Sequence, residues 1–141
     1  MAKTREISLN QNISGWTETD LSSGVMGTFA EYTVPAGAAL IFRPHHTISL
    51  YLEDNETTPA ELNAAQPVEV IIEQPFGIGT DLLASAEYTE FKEFQDITKK
   101  RPNRVTLVAR ANAVVKLRTK PIASLDASDC RYALQATLVL D

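Results

Sequence analysis

Apolar and polar positions alternate with a period of two over much of the chain. Ile48, Leu50 and Leu52 share one face while Ser49, Tyr51 and Glu53 share the other, which predicts a half-buried strand. The same pattern sets Val68, Val70 and Ile72 against Glu69, Ile71 and Glu73, and Val105, Leu107 and Ala109 against Thr106, Val108 and Arg110. Val115 and Leu117 alternate with Lys116 and Arg118 in a shorter segment. Residues 131–140 place Tyr132, Leu134, Ala136, Leu138 and Leu140 on one face with Gln135 and Thr137 opposite, a long strand that ties this part of the chain into a sheet.

Turn chemistry separates these runs: Pro35-Ala36-Gly37, Asp54-Asn55-Glu56, Gly77-Ile78-Gly79, Arg101-Pro102-Asn103 and Ala111-Asn112-Ala113. Pro35 fixes its own φ and Gly37 tolerates positive φ, so residues 28–34 and 38–43 are expected to pair as a hairpin. The second of these strands should stop at Pro44, which has no N–H to give a ladder. The one helical signal is Thr58-Pro59 ahead of Ala60, Glu61, Leu62 and Asn63, enough for a single turn. Short strands at a spacing of roughly ten residues predict an all-β fold, an antiparallel β-sandwich or jelly roll.

Two stretches depart from the meander. Residues 1–25 carry isolated apolar side chains, Ile7, Leu9, Ile13 and Trp16, among Asn, Gln, Ser, Thr and Gly, and read as an N-terminal arm ahead of a sandwich domain at 26–141. A short strand at residues 6–9 could add to an edge of this domain or of a neighbour. Trp16 either folds back over the core or anchors in a partner's pocket. Residues 80–104 read as a long excursion, with Glu87, Glu90, Glu93 and Asp96 ahead of Lys99, Lys100, Arg101 and Arg104, and with Tyr88, Phe91 and Phe94 interleaved.

Composition narrows the functional classes. A length of 141 residues fits one domain. With 13 basic and 18 acidic side chains the net charge is −5, which argues against a protein whose task is coating nucleic acid. Cys130 is the single cysteine, so no intrachain disulfide or multi-cysteine metal site can form, in keeping with a reducing compartment. No apolar run approaches a membrane span, and the polar start lacks the apolar stretch of a signal peptide, so neither a membrane association nor export by the usual route is expected.

Catalytic chemistry is sparsely represented. His45 and His46 are adjacent, and on an extended chain they would point to opposite sides, so one metal ion could not take both. Carboxylates such as Glu53, Asp54, Glu56, Glu69 and Glu73 are abundant, but no spacing forces two to converge. Ser14-Gly15 and Ser23-Gly24 lie in loops outside any nucleophile elbow, Gly77-Ile78-Gly79 lacks the third glycine of a dinucleotide fingerprint, and Cys130 reads as an inert thiol. The cations Lys99, Lys100, Arg101 and Arg104 could meet an acidic protein surface or only balance the acids before them.

The segment Phe29-Ala30-Glu31-Tyr32-Thr33-Val34-Pro35-Ala36-Gly37-Ala38-Ala39-Leu40, followed by the strand at 48–53, resembles head decoration (cement) proteins of tailed bacteriophages and related viruses. The resemblance covers under a tenth of the chain in its motif, Y-x-V-P-A-G-x-x-L, which other β-sandwich virion proteins and sugar-binding modules also carry. It implies a non-enzymatic structural protein without cofactor or metal, made in the host cytoplasm. Such a protein forms a homotrimer on the outer capsid surface and clamps neighbouring capsomers. The partners it implies are the major capsid protein and other copies of the chain, with no nucleic acid and no membrane. The contact residues expected are Ile7, Leu9, Ile13 and Trp16 of the arm, with Lys99, Lys100, Arg101 and Arg104 second, and removal of residues 1–16 should leave a folded domain. The alternative is a carbohydrate- or receptor-binding module of a virion fibre, in which Tyr32, Tyr51 or Tyr88 stacks on a sugar. A small jelly-roll enzyme with a metal on His45 or His46 is the third option.

Overall fold

The structure is a computed structural model that describes residues 3–52, 66–88, 95–96, 106–121 and 124–141. The predicted all-β sandwich is found: two antiparallel sheets enclose one core. The first sheet contains β1 (Lys3–Asn10), β4 (Ala38–Phe42), β5 (Ile48–Tyr51), β8 (Gln95–Asp96), β9 (Leu107–Ala109) and β11 (Arg131–Leu140), in the order β8-β5-β11-β4-β9 with β1 also on β11. The second runs β2-β3-β10-β6-β7, from β2 (Trp16–Glu18), β3 (Gly27–Thr33), β6 (Gln66–Glu73), β7 (Thr80–Tyr88) and β10 (Val114–Thr119). The single helical turn expected at residues 58–63 lies outside the described residues.

Alternation builds the core as the pattern requires. Ile48, Leu50, Leu52, Val68, Val70, Ile72, Val115, Leu117, Tyr132, Leu134 and Ala136 are all buried. Each fully buried large aliphatic side chain contributes about 1.5–3 kcal/mol relative to exposure. On the outer face of the second sheet, Arg118 pairs with Glu69 at 2.7 Å and Lys116 with Glu73 at 2.8 Å. Such partly exposed pairs add at most about 1 kcal/mol each, so the sandwich rests on its inner faces.

Two expectations change. Residues 28–34 and 38–43 do not pair: β3 lies between β2 and β10 in one sheet, and β4 between β11 and β9 in the other. The Pro35-Ala36-Gly37 turn carries the chain across the core, so Phe29 and Val34 on one side face inward together with Leu40 and Phe42 on the other. Gly37 takes φ 79°, and its carbonyl accepts the Asp141 N–H at 3.0 Å, while Val34 exchanges backbone bonds of 2.8 Å with Ala113 and Asn112. The corner is thus pinned to the end of β11 and to the β9–β10 turn.

The excursion expected at 80–104 begins instead as strand β7, paired with β6 over its whole length. Its alternation is hidden by a bulge: Val70 pairs with Ala84 and Ile71 with Leu82, leaving Leu83 as the extra residue, and consecutive Leu83 and Ala84 are both buried. A second bulge, between β3 and β10, lets consecutive Phe29 and Ala30 enter the core together.

The start of the chain takes one of the two placements open to it. All eight residues of β1 pair with β11, β2 pairs with β3, and Leu21 bridges Leu125. Of the two placements open to residues 6–9, the chain takes an edge of its own domain. The polar stretch at 3–25 gives one strand to each sheet.

Candidate functional site

The long strand β11 carries β1 along one edge and both β4 and β5, end to end, along the other. Between the pairs Ile41–Thr137 and Ile48–Leu134 the β4–β5 strand is interrupted, so that residues 42–47 stand opposite only Gln135 and Ala136. The surplus chain, Arg43-Pro44-His45-His46-Thr47, folds into a turn in which the His46 N–H donates to the Arg43 carbonyl at 3.0 Å. Pro44 has no N–H to lose here, which is why the interruption falls on it.

His46 is buried at 3% exposure with both ring nitrogens engaged. The Arg43 N–H donates to Nδ1 at 2.9 Å, so the neutral ring carries its proton on Nε2, which donates to Glu6 Oε2 at 2.8 Å. The other Glu6 oxygen, Oε1, accepts from the Thr137 hydroxyl at 2.7 Å. The Thr137 bond first, and the His46 bond next, hold the Glu6 carboxyl below its usual range. Two strands and a turn are clasped at this point, β1 by Glu6, β11 by Thr137 and the β4–β5 turn by His46.

The turn also overturns the expected divergence of the two histidines. Their rings lie against each other in a tilted arrangement, with centroids 4.4 Å apart and planes at 47°, because the backbone is not extended there. His45 is exposed, and with Glu6, Ile7, Ser8, His46 and Gln135 it lines an open pocket of about 480 Å³. A metal ion would have to displace the Arg43 N–H or Glu6 from His46, and among the described residues no group of three or more His, Cys, Asp or Glu side chains is placed to hold one. Neither lone pair nor proton of His46 is free for general acid–base work, so the arrangement is suited to holding strands together and to presenting a ring surface.

The residues expected to contact a partner separate into three groups. Leu9 is fully buried in the core. Ile7, Ile13 and Trp16 are partly buried and pack on that core. Lys99, Lys100, Arg101 and Arg104 lie outside the described residues. Trp16 takes the folded-back placement, 4.6 Å from the Tyr132 ring and 5.5 Å from the Tyr32 ring, with its buried Nε1 lacking a hydrogen-bond partner. Burial, then the bond its hydroxyl donates to Glu18 at 3.0 Å, pushes the Tyr132 phenol well above its usual range. Tyr32 is likewise raised by burial, and a Cβ at Gly15 would sit 2.8 Å from its ring, so Gly15 and Trp16 cover the tyrosine proposed as a sugar platform. The side chains of Tyr51 and Tyr88 are outside the described set. Cys130 is buried, its thiol 3.6 Å from the Asp126 carbonyl, as expected of an unreactive position.

One feature escaped the sequence reading. The β6–β7 connection, read only as a turn at Gly77-Ile78-Gly79, exposes Phe76 at 91% and Ile78 at 55%. Phe76 has φ 59° and ψ 29°, a left-handed conformation costing a non-glycine residue about 1–3 kcal/mol. Buried Gln74 fixes the base of this tip: Nε2 donates to the Val108 carbonyl at 2.6 Å and to Asp81 Oδ2 at 3.1 Å, and Oε1 accepts the Arg110 N–H at 3.3 Å. The Gln74 N–H closes the loop on the Gly79 carbonyl at 2.8 Å. The only signal for it in the sequence is a Phe between Pro75 and Gly77, where a polar turn residue is usual.

Comparison of the sequence with known protein families and with curated proteins finds no match. Among solved structures the chain is similar to VP17, a capsid protein of bacteriophage P23-77, with a TM-score of 0.48 and 7% identity over 99% of this chain and 97% of that one. It is also similar to a chain of the complex of the two major capsid proteins of the same phage, VP16 and VP17, with a TM-score of 0.46 and 6% identity over 96% and 98% of the two chains. A third likeness, to infectious bursal disease virus Gx strain, has a TM-score of 0.29 and 10% identity, and spans 98% of this chain but 41% of the other.

Proposed function

We propose that the chain is a structural virion protein, a decoration or cement protein that binds the outer capsid surface and stabilises the shell by clamping neighbouring capsomers. The observation that carries this reading is the edge strand β1. It pairs with β11 along its whole length, and no second described strand covers its outer edge. A strand of that length offers unpaired backbone groups to an extended segment of a neighbouring protein, and strand addition of this kind gives affinity through the main chain, without catalytic groups. The decoration-protein motif at residues 29–40 supplies the kind of neighbour, a major capsid protein. The contact then moves from the arm side chains to the backbone of β1, with Lys99, Lys100, Arg101 and Arg104 retained as a second surface for acidic patches. A homotrimer would multiply modest contacts into stable attachment.

The composition of purified particles tests this. Virions from the source, washed and analysed by quantitative mass spectrometry, should contain the chain in fixed ratio to the major capsid protein. Mild denaturant should release it before the shell opens, and the stripped shells should then rupture at lower temperature. Washed particles without the chain would overturn the reading. Selective binding to a glycan array, lost on Tyr51→Ala or Tyr88→Ala, would replace it with the fibre-module alternative.

A further inference from the structure

We propose that the Phe76 tip of one copy docks into the pocket over His45 and His46 of a second copy of this chain, in a head-to-tail contact. The tip is a strained, 91%-exposed aromatic side chain on a loop whose base is fixed by Gln74. The fold's own packing gives no reason to hold a phenylalanine in water in that conformation, whereas a receiving pocket would. The same molecule presents such a pocket. Its volume of about 480 Å³ accommodates an aromatic ring, and the exposed His45 imidazole, tilted against His46, offers that ring an aromatic contact.

Knob and pocket are built on different strands. The pocket is formed where β1 and the β4–β5 turn meet β11, while Gln74 holds the tip against β9, on the far side of β4. Phe76 is not among the residues that line the pocket and stands exposed in its own copy, so the pocket is left open for the tip of a second copy. Charge favours the approach: exposed Arg110 follows β9 beside the tip, and Glu6, 64% exposed, borders the pocket. Because the two patches differ, each contact leaves one knob and one pocket free, so the geometry extends to rings or chains of copies. The inference does not rest on the shell-binding reading and needs no capsid to test.

The measurement is solution mass by light scattering and sedimentation across a dilution series, with circular dichroism to verify folding. The wild-type chain should form multiples of the chain mass as concentration rises. Phe76→Ser, which keeps the pocket, and His45→Glu, which keeps the knob and sets a second carboxylate beside Glu6, should each remain monomeric. Mixed in equal amounts they should form a heterodimer that stops at two chains, since one intact knob meets one intact pocket. Ile78→Ser serves as the second knob variant if Phe76→Ser fails to fold. A wild-type chain that is monomeric up to millimolar concentration, or knob variants that assemble like wild type, or a mixture that does not pair, would overturn the proposal. Monomeric wild type whose Phe76→Ser variant alone loses attachment to virions would assign the tip to the shell and equally overturn the self-contact.

Discussion

Both carboxylate oxygens of Glu6 are used by neighbours on other strands, although the side chain is 64% exposed. Its carboxyl is held below the ordinary value of 4.5, first by the Thr137 hydroxyl and then by His46. A folded-state value below the unfolded one means that the ionised group's contribution is fully present above 4.5 and is lost as pH falls through the lowered value. We predict that Glu6→Ala is less stable than wild type in urea at neutral pH, and that the gap narrows once pH drops below about 4.5. A gap of constant size from neutral pH to about pH 3 would show that Glu6 acts only by packing. Nothing in the sequence announces this residue, because its partners lie 40 and 131 positions away. The histidines were visible as a pair, but their ring contact depends on a turn that the Pro44 signal marks only as the end of a strand.

At the level of elements, the tip between β6 and β7 is held by one side chain. Removing the Gln74 amide deprives the Val108 carbonyl, Asp81 and the Arg110 N–H of a partner at once. Gln74→Ala should therefore leave the sandwich folded, at a cost of about 1–3 kcal/mol for the unsatisfied groups, and loosen the loop locally. Amide exchange by NMR should speed up at Gln74 and Ile78, whose N–H groups close the loop, while Val70 and Val115 keep their protection. Uniform acceleration across all four amides would mean that Gln74 supports the whole fold instead. Strands with strict alternation, β5, β6, β10 and the first part of β11 up to Ala136, were legible in the sequence because period two and burial coincide there, whereas beyond it Thr137 is buried and Leu140 exposed. β7 was not, since the bulge at Leu83 breaks the period, and no local pattern distinguishes an extra strand residue from a loop. The Pro35–Gly37 turn was located correctly and its partner strands wrongly, because turn chemistry fixes where a chain reverses and leaves open whether it stays in the same sheet.

For the molecule as a whole, the start of the chain decides how stability and binding can be separated. Few apolar residues lie in that stretch, so composition alone suggests a dispensable arm, yet those residues sit where the two sheets need them. Leu9 fills the core, Trp16 covers Tyr132, and β1 completes one edge of β11 along residues 133–140. Truncating a buried leucine alone typically costs about 2–5 kcal/mol. A domain of this kind has about 5–15 kcal/mol in total, and removal of residues 1–16 also strips the β11 edge and uncovers an aromatic cluster. The truncated chain is therefore predicted to lack a cooperative unfolding transition in circular dichroism and to show collapsed amide dispersion in NMR. If it instead unfolds cooperatively with the wild-type β signature, then β1 is an attachable strand, and the same segment could exchange between copies or onto a neighbour. In the first case a shell-binding edge must be probed by point substitutions along the outer side of β1, because deleting that strand removes the domain with the contact.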